Sequence, residues 1–277
     1  MGTKPKFKEM EFSLIISNPP YSGLDIKILK SVMGLGEKLV FVMPSSFILA
    51  EKGRDLKFLS EIDKRLVSVD MIDANEAFKI QVPYPVSVLQ LDKSRTEKIL
   101  FTDEKKNVKY EVDSVTKLSK YGANSEIYES VKAKIRPLLI RNLQSELLEH
   151  SPEMTFGIAA ARGNIGCDDF YTFCMDDFSH HCTKKYTYGW KLETDVERRN
   201  FFQYLKNKTT RFCLSVYKDG MGLHRREMEF VPWLDFTKDW TDDSFAKHIG
   251  LTEEELSWMQ SVIPAYYPED KPQTSNI

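Results

Sequence analysis

No apolar run in this sequence approaches the roughly 18 residues that a bilayer span requires, so no membrane segment is expected. Met1-Gly2-Thr3-Lys4 opens no charged-then-apolar secretion signal, and a cytoplasmic location is the expectation. The four cysteines (Cys167, Cys174, Cys182 and Cys213) have no C-x-x-C spacing, which suits reduced thiols rather than a disulfide framework. Even with His180 and His181 nearby, they match no zinc-ligand pattern, so no metal is expected. An excess of one charge is also missing. Lys and Arg number 39 against 41 Asp and Glu, a net charge of −2, which excludes a uniformly basic nucleic-acid binder. Contact with a nucleic acid has to come from a local patch.

What is present is a chain of 277 residues, 42% of them hydrophobic, enough for a core and one or two domains. Phe12 to Ser17 reads as a buried strand, halted by Pro19-Pro20. Ile26, Leu29, Val32 and Met33 recur at helical spacing, and Gly34 and Gly36 end that helix. Lys38 to Met43 forms a second strand stopped by Pro44, and a charged helix covers 51–63. Strands are expected at 66–72 and 86–91, with a loop from Phe78 to Pro85. This is α/β grammar with a mostly parallel sheet. Residues 96–125 are polar and read as a connector carrying a short strand or two. Beyond 126 come a helix ending near Pro137, another around Arg198 to Leu205, and a last one capped by Thr252 with Glu255 completing a capping box.

The stretch with chemical content is Asn18-Pro19-Pro20-Tyr21, held rigid at a strand's carboxyl end, where open α/β sheets bind ligands. An amide oxygen and a proline-fixed carbonyl can each accept one N–H of an exocyclic amine, while the Tyr ring stacks on the base. A β-turn with a surface Tyr is the plain alternative.

This tetrapeptide after an apolar strand resembles the catalytic motif of the N6-adenine DNA methyltransferases of restriction-modification systems. Asp25-Ile26-Lys27-Ile28-Leu29 is similar to the following helix, and Val42-Met43-Pro44-Ser45-Ser46-Phe47-Ile48 to the family's fifth strand and turn. Residues 66–72 and 86–91 match its sixth and seventh strands. Phe201 to Lys206, Val231 to Phe236 and Trp240 to Asp243 look like its carboxyl-terminal region. The resemblance covers most of the chain. It implies a partial Rossmann-like α/β sheet (the family's strands 4 to 7) in residues 1–95, then a smaller α+β target-recognition and C-terminal region over 126–277. It implies transfer of a methyl group from S-adenosylmethionine to the N6 of a flipped adenine in double-stranded DNA. Asn18, Pro19, Pro20 and Tyr21 would be catalytic, and Phe78, Tyr84, Ser45 and Ser46 would line the base. Phe78 and Tyr84 lie in the loop where a second stacking aromatic belongs. Arg162, Lys184, Lys185, His224, Arg225 and Arg226 are the candidates for phosphate contacts.

The sequence departs from the family in its cofactor motif. A glycine-rich turn and an acidic ribose partner belong before Asn18, where only 17 residues stand, too few for one βαβ unit. Gly157 to Gly163 and Gly220-Met221-Gly222 are poor substitutes. An incomplete cofactor pocket and a bare hydrophobic sheet edge are therefore expected. A protein partner would pair with that edge or supply the missing half. The alternatives are a catalytically inactive DNA- or protein-binding module and a piece of a longer chain.

Overall fold

The computed structural model describes residues 11–21, 23–49, 55–79, 82, 85–104, 107–119, 121, 125–149, 151–158, 188–217 and 225–263. Two compact units divide the chain, Met1–Ser125 and Glu126–Ile277. Among the described residues no helix is long and apolar enough to cross a membrane.

Unit 1 is built on six strands: β1 (Phe12–Ser17), β2 (Gly36–Pro44), β3 (Leu66–Ile72), β4 (Val86–Asp92), β5 (Ile99–Asp103) and β6 (Val108–Val112). Their order across the sheet is β1-β2-β4-β3-β5-β6. The sheet is mixed, not mostly parallel. β1 runs parallel to β2, and β3 to β5. β4 lies antiparallel between β2 and β3, and β6 antiparallel to β5. The short return from β3 to β4 reverses the chain without a crossover, and parallel pairing needs a crossover. Residues 96–125, expected as a connector with a short strand or two, supply β5 and β6, which join the main sheet and extend it by two strands.

Alternation puts Leu39, Phe41 and Met43 of β2 on one face, all fully buried. Helices α1 (Leu24–Val32) and α3 (Leu56–Asp63) cover that face through Leu29, Phe58, Leu59 and Ile62. Asp55 caps α3, its carboxylate accepting the Phe58 amide at 3.1 Å. Arg65, just before β3, is buried and spreads its guanidinium over main-chain carbonyls. It donates to Met33, to Gly36 (2.8 Å) and to Glu37 (2.8 Å), fixing the turn between α1 and β2. Two further short helices, α2 (Ser46–Leu49) and α4 (Ala74–Phe78), follow β2 and β3. β1 is an edge strand, and Phe12, Leu14 and Ile16 stay exposed on the face opposite the core.

Unit 2 begins with α5 (Ser125–Ile135), continued as a 3-10 turn through Arg136–Ile140 that contains Pro137. A small sheet, ordered β7-β9-β8, comprises β7 (Leu148–Glu149), β8 (Phe156–Ile158) and β9 (Tyr188–Trp190). Four helices follow: α6 (Asp195–Lys206), α7 (Lys208–Tyr217), α8 (Asp242–Ile249) and α9 (Glu253–Val262). α6, α8 and α9 each start from a threonine whose hydroxyl accepts the amide three residues on, with the reciprocal bond present in all three. The core is aromatic. Phe156, Trp190, Phe201, Tyr204, Phe212, Phe230 and Phe245 are all buried. Gly189 lets the small sheet close, because a Cβ there would sit 2.4 Å from the Phe156 carbonyl oxygen.

Candidate functional site

β1, β2 and β3 all deliver their carboxyl ends to one rim of the sheet, where β4 begins. Ser17 lies beside Phe41, and Pro44 and Ile72 both pair with Val86. The segments that leave β1, β2 and β3 there are Asn18–Tyr21, Ser45–Leu49 and α4.

After β1 the two prolines divide their roles. Pro19 is buried and anchors the turn, while Asn18 and Pro20 are exposed. The Tyr21 hydroxyl donates to Asn18 Oδ1 at 2.9 Å, which fixes the amide with its oxygen toward the ring. An amide oxygen has two acceptor positions, so one remains for an N–H from outside. Gly23 follows in the left-handed region (φ 79°) and turns the chain into α1.

Tyr21 also packs against both apolar clusters of unit 1. The smaller one consists of Ala74, Val82 and Val86, and Phe78 packs against it as well. The structure thus seats Tyr21 and Phe78 on a shared apolar floor at the rim. Phe78 is placed by a local device. Asp73 caps α4, accepting the Asn75 and Glu76 amides at 3.1 Å each. Lys79 then adopts a left-handed conformation (φ 55°), and the Asn75 side-chain oxygen accepts the Val82 amide at 2.7 Å. Sequence reading passed over Asp73 and Asn75, although Asp73-Ala74-Asn75-Glu76 is a legible helix start.

Ser45 is fully buried, and both its amide (3.0 Å) and its hydroxyl (3.1 Å) donate to the Pro85 carbonyl. It ties the tip of β2 to the start of β4 and has spent its donor there. Ser46 is half-buried at the start of α2. Tyr84 lies outside the described residues.

Of the residues expected to meet phosphates, Arg162, Lys184, Lys185 and His224 lie outside the described residues. Arg225 and Arg226 open a 3-10 segment, Arg225–Phe230. Arg225 pairs with Glu149 at 3.0 Å and Arg226 with Glu227 at 3.0 Å, so each already holds a carboxylate. Elsewhere in unit 2, Arg141 lies over the Trp233 ring, 5.3 Å from its centroid, in a shallow depression that Lys191 and Asp235 also line. Arg141 forks onto Glu146 with two bonds of 2.8 Å, so that depression gains little net charge from it. Among the described residues no cluster of His, Cys, Asp and Glu could hold a metal.

The rim offers acceptors and an aromatic ring but little for a nucleoside sulfonium cofactor. Among the described residues no strand is followed by a glycine-rich turn, and none pairs with the outer side of β1. The described residues of the rim do not fit S-adenosylmethionine, because they supply no glycine-rich turn for it. No protein-family model matches the chain, and comparison with curated proteins finds no match.

Proposed function

We propose that this chain carries the base-binding half of a DNA adenine-N6 methyltransferase. One observation carries the reading: Asn18-Pro19-Pro20-Tyr21 stands at the carboxyl tip of a parallel strand, with Tyr21 and Phe78 on one apolar floor beside it. One pairing supports it too. The resemblance assigns residues 66–72 and 86–91 to a hairpin, and β3 and β4 pair antiparallel.

The chemistry derivable from these residues concerns the amine. The lone pair of adenine N6 is delocalised into the ring, which makes it a poor nucleophile. Hydrogen bonds accepted from its two N–H groups by Asn18 Oδ1 and the Pro19 carbonyl favour a tetrahedral nitrogen and localise that pair. Tyr21 stacks on the extruded ring, and its hydroxyl keeps the Asn18 oxygen aimed. S-adenosylmethionine supplies the methyl group in such enzymes. A glycine-rich segment and an acidic ribose partner must come from elsewhere to hold it.

Binding to a duplex with adenine opposite an abasic site tests the reading without the cofactor. The expected result is about tenfold tighter binding than to the same duplex carrying purine, which lacks the amine, and loss of that preference in Asn18→Ala. Equal affinity for the two duplexes would overturn it. A second reading, a binding module that no longer methylates, draws on the lack of a glycine-rich turn among the described residues. Neither reading expects this chain alone to saturate with S-adenosylmethionine in a calorimetric titration; saturable binding would exclude the module and would mean that the cofactor site is rebuilt within this chain or between copies of it.

A further inference from the structure

The sheet of unit 1 ends on two edges of different character. β6 carries exposed Lys109 and Glu111 around buried Tyr110, and charges on an edge strand discourage pairing with other chains. β1 reads Phe-Ser-Leu-Ile-Ile-Ser and has no charge at all. Its Phe12, Leu14 and Ile16 are 37, 49 and 70% exposed, in a row on one face. The Phe12 amide donates to the Leu35 carbonyl at 2.8 Å, toward the β2 side. By strand alternation the main-chain groups of Leu14 and Ile16 also face β2, and those of Ser13, Ile15 and Ser17 face outward. The apolar strip is narrow. At β4 and β3 it gives way to a polar row in which Asp70 accepts from Ser68 (2.8 Å), Thr102 (2.6 Å) and Gln90 (3.5 Å).

We propose that β1 pairs antiparallel with β1 of a second copy of this chain, across a two-fold axis at Leu14, joining two six-stranded sheets into one. In that register Leu14 faces its own counterpart and Phe12 faces Ile16 of the second copy, so every pair on the exposed row is apolar on both sides. These are the non-hydrogen-bonded positions, where side chains approach most closely. Ser13 faces Ile15, and their outward amides and carbonyls are the ones that β2 leaves unused. A strand with no charge brings no like charges together at the axis, which is what a self-pairing edge requires. One six-residue strand from each copy makes an interface small beside the roughly 1,200 Å² of stable ones, so the dimer is concentration-dependent. The pairing does not rest on the methyltransferase reading. A cofactor-bearing strand would use the same edge, so the two occupants exclude each other.

Sedimentation of the full chain from micromolar to submillimolar concentration tests this. A monomer–dimer equilibrium is expected, with Leu14→Lys weakening it at least tenfold by setting two ammonium groups at the axis while leaving the circular dichroism unchanged. Cysteine substitution reads the register. The Cα atoms of a non-hydrogen-bonded pair are about 4.5 Å apart, within disulfide reach, so oxidised Leu14→Cys should give a covalent dimer. Ser13→Cys, which faces Ile15, should not, and the wild-type chain controls for its native cysteines. A wild-type chain that stays monomeric throughout, a dimer that Leu14→Lys leaves intact, or equal cross-linking at positions 13 and 14 would each overturn the proposal.

Discussion

Asn18 and Arg65 show how differently two polar side chains serve unit 1. Asn18 is exposed, and among the described residues its side chain bonds to the Tyr21 hydroxyl alone. Asn18→Ala is therefore expected to change stability by less than about 1 kcal/mol while removing adenine discrimination. Urea denaturation beside the duplex measurement checks that split. Arg65 is buried with three carbonyls on its guanidinium, and Arg65→Ala strands all of them. A loss of about 3 kcal/mol is expected in the same denaturation assay. Gly189→Ala is a third case. With the Phe156 carbonyl 2.4 Å from the added carbon, β8 and β9 must separate, and a loss of about 2 kcal/mol should follow. At this scale the sequence was partly readable. The role proposed for Asn18-Pro19-Pro20-Tyr21 rests on side-chain chemistry visible in the sequence, and its place at a strand's carboxyl end was legible from the apolar run before it. That Ser45 gives its hydroxyl to Pro85 depends on a contact 40 positions away, which no local pattern encodes.

At the scale of elements, α5 and α9 are held together by Glu255. Its carboxylate accepts from Ser130 (2.6 Å) and Lys134 (2.5 Å) and closes the capping box of α9. Burial raises its pKa, but Lys134, Ser130 and the Thr252 amide outweigh burial and bring it down to about 2. A carboxylate depressed on folding stabilises the native state above its unfolded pKa, near 4.5, and that contribution disappears as pH falls toward 2. Thermal unfolding between those pH values should show a steep acid limb, which Glu255→Gln flattens. The capping box itself was legible, since Thr252 and Glu255 stand at the right spacing before an apolar run. β1, β2 and β4 were legible as apolar runs with Pro or Gly at one end, and β3 as an apolar run between Arg65 and Asp73. β5 and β6 were legible only as a short strand or two without bounds, because Asp103, Lys109 and Glu111 interrupt their apolar residues, as suits a hairpin at a solvated edge. α4 is five residues long, too short for periodicity to register.

For the whole molecule, pairing order is what the chain's local pattern left open. Short apolar runs identify strands but not their neighbours, and the insertion of β4 between β2 and β3 is a tertiary choice. Among the described residues the larger core of unit 1 runs from Leu29 to Leu118, with Ile15, Tyr21, Ile26 and Ile28 packed against it, all within Met1–Ser125. Expressed alone, this segment should keep a cooperative melt by far-ultraviolet circular dichroism; a gradual, non-cooperative loss of signal would contradict that. The aromatic core of unit 2 carries a practical consequence. All four tryptophans (Trp190, Trp233, Trp240 and Trp258) belong to that unit, so intrinsic tryptophan emission follows its unfolding, and the unit that carries Asn18 and Tyr21 has no tryptophan of its own. A tryptophan introduced at Phe78 would give that rim an optical signal of its own.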